Sequence, residues 1–358
     1  MYNTLKIFLL CLFFTISAAA QSKETPDEYS VLALPIKGTL AEKSSEISGL
    51  AWYGDKLIIL PQYPDKQNNN VFSLSRQTID TWIDNLNQIP LVSDRVSVNI
   101  NEMRIKGMQK PETELRPQPV SVDFNGLFNK INGYEGFESI GFIGRWAFLT
   151  IECKDNGATF AYLVRGRMNA EGTRLIMDSS IVCKIPPQAD LRNFSDEALV
   201  CYNDEIYTFY EANGRNVNHH PVAHRFNIRL EMLGLVPFTN LEYRLTDATC
   251  ADEEGRFWIM NYLWPRERDK LQVDTDSLTV RYGQGKTHKK NPAVERLVEF
   301  QIKKDAIERT DRNPLQLKLL SNDSRNWEGI VRLPGKGFLL ATDRFPRTIL
   351  AFIPVDIE

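Results

Sequence analysis

The sequence predicts an all-β protein of the propeller class, five blades of four strands each, with a strand from the N-terminal end closing the last blade. Three observations carry this expectation. First, five segments follow one plan: Ser48-GLAWYGDKLIILPQ, Glu138-SIGFIGRWAFLTIE, Glu197-ALVCYNDEIYTFYE, Asp247-ATCADEEGRFWIMNY and Glu328-GIVRLPGKGFLLATD. Each opens on an oxygen-bearing side chain, runs through a short apolar strand, turns on Gly, Asp or Asn, and returns as a strand rich in β-branched and aromatic residues. Second, a third apolar run follows every hairpin, at Val71–Arg76, Thr159–Arg165, Val222–Leu230, Arg296–Ile302 and Thr348–Val355. A fourth precedes the next unit at Val120–Phe124, Leu175–Ile185, Leu241–Leu245 and Leu315–Leu320. Third, the last unit ends too close to Glu358 for a fourth strand, whereas SVLALPI (Ser30–Ile36) is a strand with no hairpin of its own. Four-stranded units repeated about an axis and closed in this way make a propeller.

In chain order, residues 1–20 read as a secretory signal peptide. Lys6 is their only charge, Ile7 to Ile16 is apolar, and Ala18, Ala19 and Ala20 supply a cleavage site. The apolar run is too short to span a bilayer, so the expected product is secreted or periplasmic without a membrane anchor. Residues 21–358 then form one propeller domain with two insertions. Gln77–Gln118 contains a predicted helix (TIDTWIDNL) and a Pro-containing polar tail, with room for a degenerate sixth blade; Leu263–Val294 is polar and charged. The 358-residue chain carries 43 Lys and Arg against 46 Asp and Glu, a balance that argues against a nucleic-acid partner. Outside the leader stand Cys153, Cys183, Cys201 and Cys250, open to three disulfide connectivities but placed in or beside strands, as small buried hydrophobes are.

The repeat places chemistry at one spot. Inner strands line a propeller's channel, so Ser48, Glu138, Glu197, Asp247 and Glu328 are expected to ring the axis at one face. Carboxylates that close raise one another's pKa. Calcium, which takes six to eight oxygen ligands, would resolve the conflict, and no Cys or His holds a ring position. The competing reading has these residues capping strand ends with no ion. Fourteen or fifteen residues on, Gln62, Glu152, Glu211, Asn261 (or Tyr262) and Asp343 form a second ring at the same face. Of these, Glu152, Glu211 and Asp343 are the candidate general bases. The loops at that face bring Asn213, Arg215, Arg266 and Arg344, which with Asn261 are the candidate contacts for a small anionic substrate or ligand.

Three other motifs do not hold. GKT at Gly285–Thr287 lacks the first glycine of a phosphate loop, since Val280 stands there. His219, His220 and His224 are interrupted by Pro221, and Phe137 stands where a nucleophile elbow around Ser139 needs glycine. The five hairpins and their leading residues resemble the central motifs of the calcium-activated nucleotidases, or secreted apyrases. That resemblance implies a five-bladed propeller with axial calcium held at Ser48, Glu138, Glu197, Asp247 and Glu328. SGLAW…LIIL, GFESIGF…AFLTIE and NWEGIVRL…LLATD also look like exported propellers described as phytase-like esterases, over most of the mature chain. The expected function is therefore a calcium-centred hydrolase of small phosphate or carboxylic esters. Its rival is a non-catalytic propeller that binds a sugar, peptide or protein around a structural ion. Oligomeric state is open.

Overall fold

The computed structural model describes residues 25–42, 45–87, 114–321 and 323–356. The leader lies outside them. Two short strands come first, β1 (Glu28–Tyr29) and β2 (Leu32–Leu34). Unit one comprises β3 (Ile47–Tyr53), β4 (Lys56–Pro61), β5 (Asn70–Ser75) and, after helix α1 (Arg76–Asn87), β6 (Gln118–Asp123). Unit two comprises β7 (Tyr134–Ile143), β8 (Trp146–Asp155), β9 (Ala158–Met168), β10 (Arg174–Met177) and β11 (Cys183–Ile185). Unit three is β12 (Asp196–Tyr202), β13 (Glu205–Tyr210), β14 (Val222–Asn227) and β15 (Met232–Pro237). Unit four is β16 (Arg244–Ala248), β17 (Arg256–Leu263), helix α2 (Ser277–Tyr282), β18 (Val294–Ile302), β19 (Ile307–Arg309) and β20 (Leu315–Leu317). Unit five is β21 (Trp327–Leu333), β22 (Gly337–Thr342) and β23 (Leu350–Pro354).

Within each unit the strands pair in order from the inside outward, and units one and two are joined edge to edge by parallel pairing of β6 with β10. The inner strands β3, β7, β12, β16 and β21 pack each against the next, and β21 packs back on β3, so the cycle closes. This is a β-propeller. Among the described residues no inner strand stands between β3 and β7, which touch directly; the first insertion is described over α1 and residues 114–118, and residues 88–113 lie outside the description.

Packing follows the same cycle. Strands pleat side chains to both faces, and each gap between neighbouring units holds its own apolar layer. Leu60 and Val71 meet Phe137 and Leu149; Phe148 and Leu163 meet Leu199 and Phe226. Phe209 meets Phe257 and Phe300, Trp258 and Leu297 meet Ile330 and Phe338, and Leu339 and Phe352 meet Leu57 and Ile59. Helix α1 caps the last of these layers with Ile79, Trp82 and Ile83. Near the axis the inner strands run too close for a side chain at some positions. A Cβ on Gly141 would come 2.6 Å from Leu199 of the next unit, and one on Gly329 would come 2.9 Å from Leu50.

The N-terminal residues close the assembly twice. β2 pairs antiparallel with β23, supplying the fourth strand of unit five, and β1 pairs parallel with β20 of unit four. Glu28 is the clasp. Its carboxylate accepts hydrogen bonds from Thr287 N (2.9 Å), Thr287 Oγ1 (2.8 Å) and His288 N (3.1 Å), and lies 2.8 Å from His288 Nδ1. The GKT stretch thus holds a carboxylate of its own chain.

Two strand boundaries differ from the sequence reading. The fourth strand of unit three is Met232–Pro237, not Leu241–Leu245, and Arg244 onward opens the inner strand of unit four. The outer strand leaves Met232, Leu233 and Leu235 exposed, so apolarity there did not follow burial. The run at Leu175–Ile185 splits into β10 and β11, which pair successively with β9. Cys153, Cys183, Cys201 and Cys250 are all unbridged.

Hydrogen bonds to an ionised group contribute about 1.5–3 kcal/mol each. Glu28→Ala is therefore expected to destabilise the protein by about 2 kcal/mol or more in a denaturant melt, with His288→Ala adding little on top. Additive costs would show that Glu28 and His288 act separately.

Candidate functional site

Every inner strand carries the same irregularity near its start. The register against its partner slips between Ile47 and Gly49, Phe137 and Ser139, Asp196 and Ala198, Leu245 and Ala248, and Trp327 and Gly329. The residues left over are Ser48, Glu138, Glu197, Thr246 with Asp247, and Glu328. A bulge adds one residue on one strand and re-aims its side chain. Here it lets a side chain leave the strict in-and-out alternation that would commit it to an apolar layer between units.

All five ring residues are buried. Three of them form one electrostatic group. Burial, with repulsion from Glu197, Glu152 and Glu328, lifts the Glu138 carboxyl well above the usual carboxylate range. Burial also lifts Glu328, with Glu197 and Asp343 opposing its charge, and it pushes Glu197 up to about 8. Glu138 accepts a hydrogen bond from Gln62 Nε2 at 3.3 Å, and Glu328 accepts one from the Tyr262 hydroxyl at 3.3 Å. Asp247 is placed differently. Its Oδ2 accepts from the Ile330 backbone N–H at 2.8 Å, and backbone amides of Ala248 and Leu50 also favour its charge against the dominant cost of burial. The carboxylate ties β16 to β21 and β3. Ser48 is buried at the corresponding place on β3.

Around the three glutamates stand Glu152, Glu211 and Asp343. Burial raises Glu152, while the nearby Ser195 hydroxyl and the charge of Arg244 pull it down. Asp343, also raised by burial, accepts from the Phe345 N–H at 2.6 Å and from Asn326 Nδ2 at 3.3 Å. Glu211 is fully enclosed, with one oxygen held by Arg244 Nε and the other, Oε2, without a hydrogen-bond partner. Glu197 Oε2 is likewise buried and unpartnered.

The expected substrate contacts divide. Arg215, Arg266 and Arg344 lie exposed at the rim; Arg344 pairs with Glu46 at 2.8 Å, and Arg266 stacks on Trp264. Asn213 and Asn261 are buried and committed to the scaffold. Asn213 donates to the Tyr210 carbonyl and accepts from Asn218; Asn261 donates to the carbonyls of Glu242 and Arg244 and accepts from Arg296.

Sequence reasoning missed the residue at the middle of the pocket. Arg244 Nε binds Glu211, and its terminal nitrogens lie 3.7 Å from Glu197 Oε2 and 3.7 Å from Glu267 Oε2. The guanidinium is flanked by the rings of Phe194 and Tyr262, 5.6 and 5.1 Å from their centroids. Burial opposes its charge, but Tyr262, Glu197, Glu328 and Glu267 hold it. Glu267 and Lys270 arrive from the second insertion, which Leu271 anchors against Phe194, Tyr210 and Tyr243. Lys270 lies 4.2 Å above the Phe194 ring, its pKa lowered by burial.

The balance of charge is decisive. Among the described residues Glu138, Glu152, Glu197, Glu267, Glu328 and Asp343, with Glu211 bound to Arg244, outnumber the cations that act on them, Arg244, Lys270 and, beside Glu152, Lys154. The donor set, all oxygen with unpartnered buried oxygens among it, fits a hard cation in charge and type. Among the described residues no three Asp, Glu, His or Cys side chains already converge as an ion site. An ion would have to draw the glutamates inward.

No protein-family model matches the sequence, and no curated protein does. Solved structures match it at low similarity. A β-fructofuranosidase of Bombyx mori in complex with sucrose matches at TM-score 0.44 and 10% identity, over 92% of this chain and 60% of that one. A glycoside hydrolase described as such from Parabacteroides distasonis matches at TM-score 0.44 and 9% identity, over 94% and 95%. An α-L-arabinanase of Cellvibrio cellulosa matches at TM-score 0.41 and 11% identity, over 86% and 91%.

Carboxyls whose folded pKa is raised stabilise the fold fully below their ordinary value of 4.5, and that stability is lost as pH rises through the folded value, about 8 for Glu197. The melting temperature in chelator is therefore expected to fall between about pH 5 and pH 9. Glu138→Gln, which keeps the contact to Gln62 and removes one repelling charge, is expected to raise it at the alkaline end. A flat profile, or a variant less stable than the parent in chelator, would show that the glutamates do not strain one another.

Proposed function

We propose that the centre of this propeller is a hydrolytic site, calcium-centred, acting on a small phosphate or carboxylic ester in a protein exported from the cell. The observation that carries the reading is the pair of buried, unpartnered oxygens, Glu197 Oε2 and Glu211 Oε2, in a pocket with a large excess of carboxylates. An anionic substrate would be repelled from such a pocket unless a cation stood between. Glu138, Glu197 and Glu328 would hold that ion, with Ser48 adding its hydroxyl. When bound, calcium polarises the substrate oxygen. The motif resemblance to the nucleotidases and the phytase-like esterases agrees with this substrate class.

Glu211 is the best placed base. Arg244 fixes one oxygen and orients the group, which leaves Oε2 to take a proton from water. Glu152, reached by Ser195 and Arg244, is the next candidate. Asp343 is less free, since both its oxygens already accept hydrogen bonds.

A second reading, a non-catalytic propeller with a structural ion, is favoured by Asp247, whose carboxylate stitches three inner strands together. One panel separates the two. Purified protein is assayed on phosphate and carboxylic esters with and without calcium, with its divalent metal content measured. The hydrolase reading expects turnover that needs calcium and drops at least about a hundredfold in Glu211→Gln. Chelation that lowers the melting temperature while no ester is ever turned over would give the second reading the site.

A further inference from the structure

The donors of Arg244 are not all used. Its Nε is bound to Glu211, but its two terminal nitrogens make no hydrogen bond to the described residues. The carboxylate oxygens nearest them, on Glu197 and Glu267, stand 3.7 Å away and are themselves unpartnered. The guanidinium carbon lies 5.6 Å from the Phe194 ring centroid and 5.1 Å from that of Tyr262. A half-buried guanidinium held at Nε, with its terminal donors free, is the feature that binds carboxylate or phosphate through two parallel hydrogen bonds. The partner it now has on Nη1 stands at ion-pair distance, beyond hydrogen-bond reach. Glu267 sits at the end of a short 3-10 turn, Pro265–Glu267, whose backbone is pinned on both sides: Glu267 N–H donates to the Trp264 carbonyl at 2.9 Å, and its own carbonyl accepts from Leu271 N at 2.8 Å.

We propose that Arg244 is the oxyanion clamp of this site, and that Glu267 keeps the place of a substrate phosphate or carboxylate until that group displaces it. The proposal rests on the hydrolase reading only for the identity of the occupant. It moves anion recognition from the exposed rim, where Arg344 has Glu46, inward to the half-buried fork of Arg244. The second insertion thereby gains a role, because it supplies a competitor that sets how strongly an anion must bind to enter. Glu267 acts through Arg244 and is a positioning residue; Arg244 is the contact.

The test is calorimetric titration of inorganic phosphate, and separately of acetate, into the full-length protein with calcium present. Glu267→Gln is expected to bind the preferred anion about tenfold more tightly than the parent, because a negative competitor beside the fork is gone. Arg244→Lys, which keeps the charge on Glu211 but lacks the fork, is expected to bind about tenfold more weakly. Tightening is a result that a merely structural role for Glu267 would not give, so the inference stays testable even where the Arg244 variant fails to fold. Unchanged or weaker binding in Glu267→Gln would overturn it, as would tightening in Glu46→Gln instead, which would assign the clamp to Arg344. Tightening in Glu267→Gln with no ester hydrolysed would keep the clamp and remove the hydrolase. Ester turnover with a KM that Glu267→Gln leaves unchanged would do the reverse.

Discussion

Three glutamates share a buried space at the head of the channel, and their mutual repulsion is the constraint that the rest of the molecule accommodates. Glu138, Glu197 and Glu328 come from units two, three and five, each pushed out of its ladder by a bulge. A strand without the bulge would send the same side chain into an apolar layer between units. The five layers hold the inner strands close enough that Gly141 and Gly329 leave no room for a Cβ. Burial then makes each charge costly, so the cluster must carry protons, a cation, or a compensating side chain. The fold creates the strain, and the site's chemistry follows from how that strain is relieved.

Unit four relieves part of it in an unusual way. Its ring residue, Asp247, turns its carboxylate to the backbone amides of neighbouring inner strands. Arg244, three residues earlier, enters the pocket and binds Glu211. One guanidinium cannot balance the carboxylates around it, and two of the nearest oxygens stay beyond hydrogen-bond reach. A partly compensated cluster of this kind suits a site that must accept something charged.

The hairpins, and the bulged positions of Glu138, Glu197 and Glu328, were legible because they rest on a repeated pattern, and the closing strand because the last unit lacked a fourth. The fourth strand of unit three was not. Met232–Pro237 lies on an outer edge where its leucines face water, so the usual link between apolarity and burial fails. Arg244 was hidden for another reason. The position three before each ring residue holds Ser45, Glu135, Phe194, Arg244 and Arg325, and Arg325 is taken up by Glu295 at 2.6 Å. Nothing in the repeat tells which arginine enters the channel. Glu267 belongs to an insertion with no counterpart in the other units, so only tertiary contact places it. Asn213 and Asn261 have the right type and place for a ligand, yet the loops they hold use up their amides.

If the carboxylates at the axis await a cation, its arrival must drive off the protons they hold. Calcium is therefore titrated into chelator-treated protein near neutral pH, in two buffers of different ionisation enthalpy, to count protons released per ion bound. The expected result is saturable binding with proton release, reduced in Glu138→Gln. Heat-silent titration, or binding that releases no protons, would contradict a strained carboxylate centre that a cation completes.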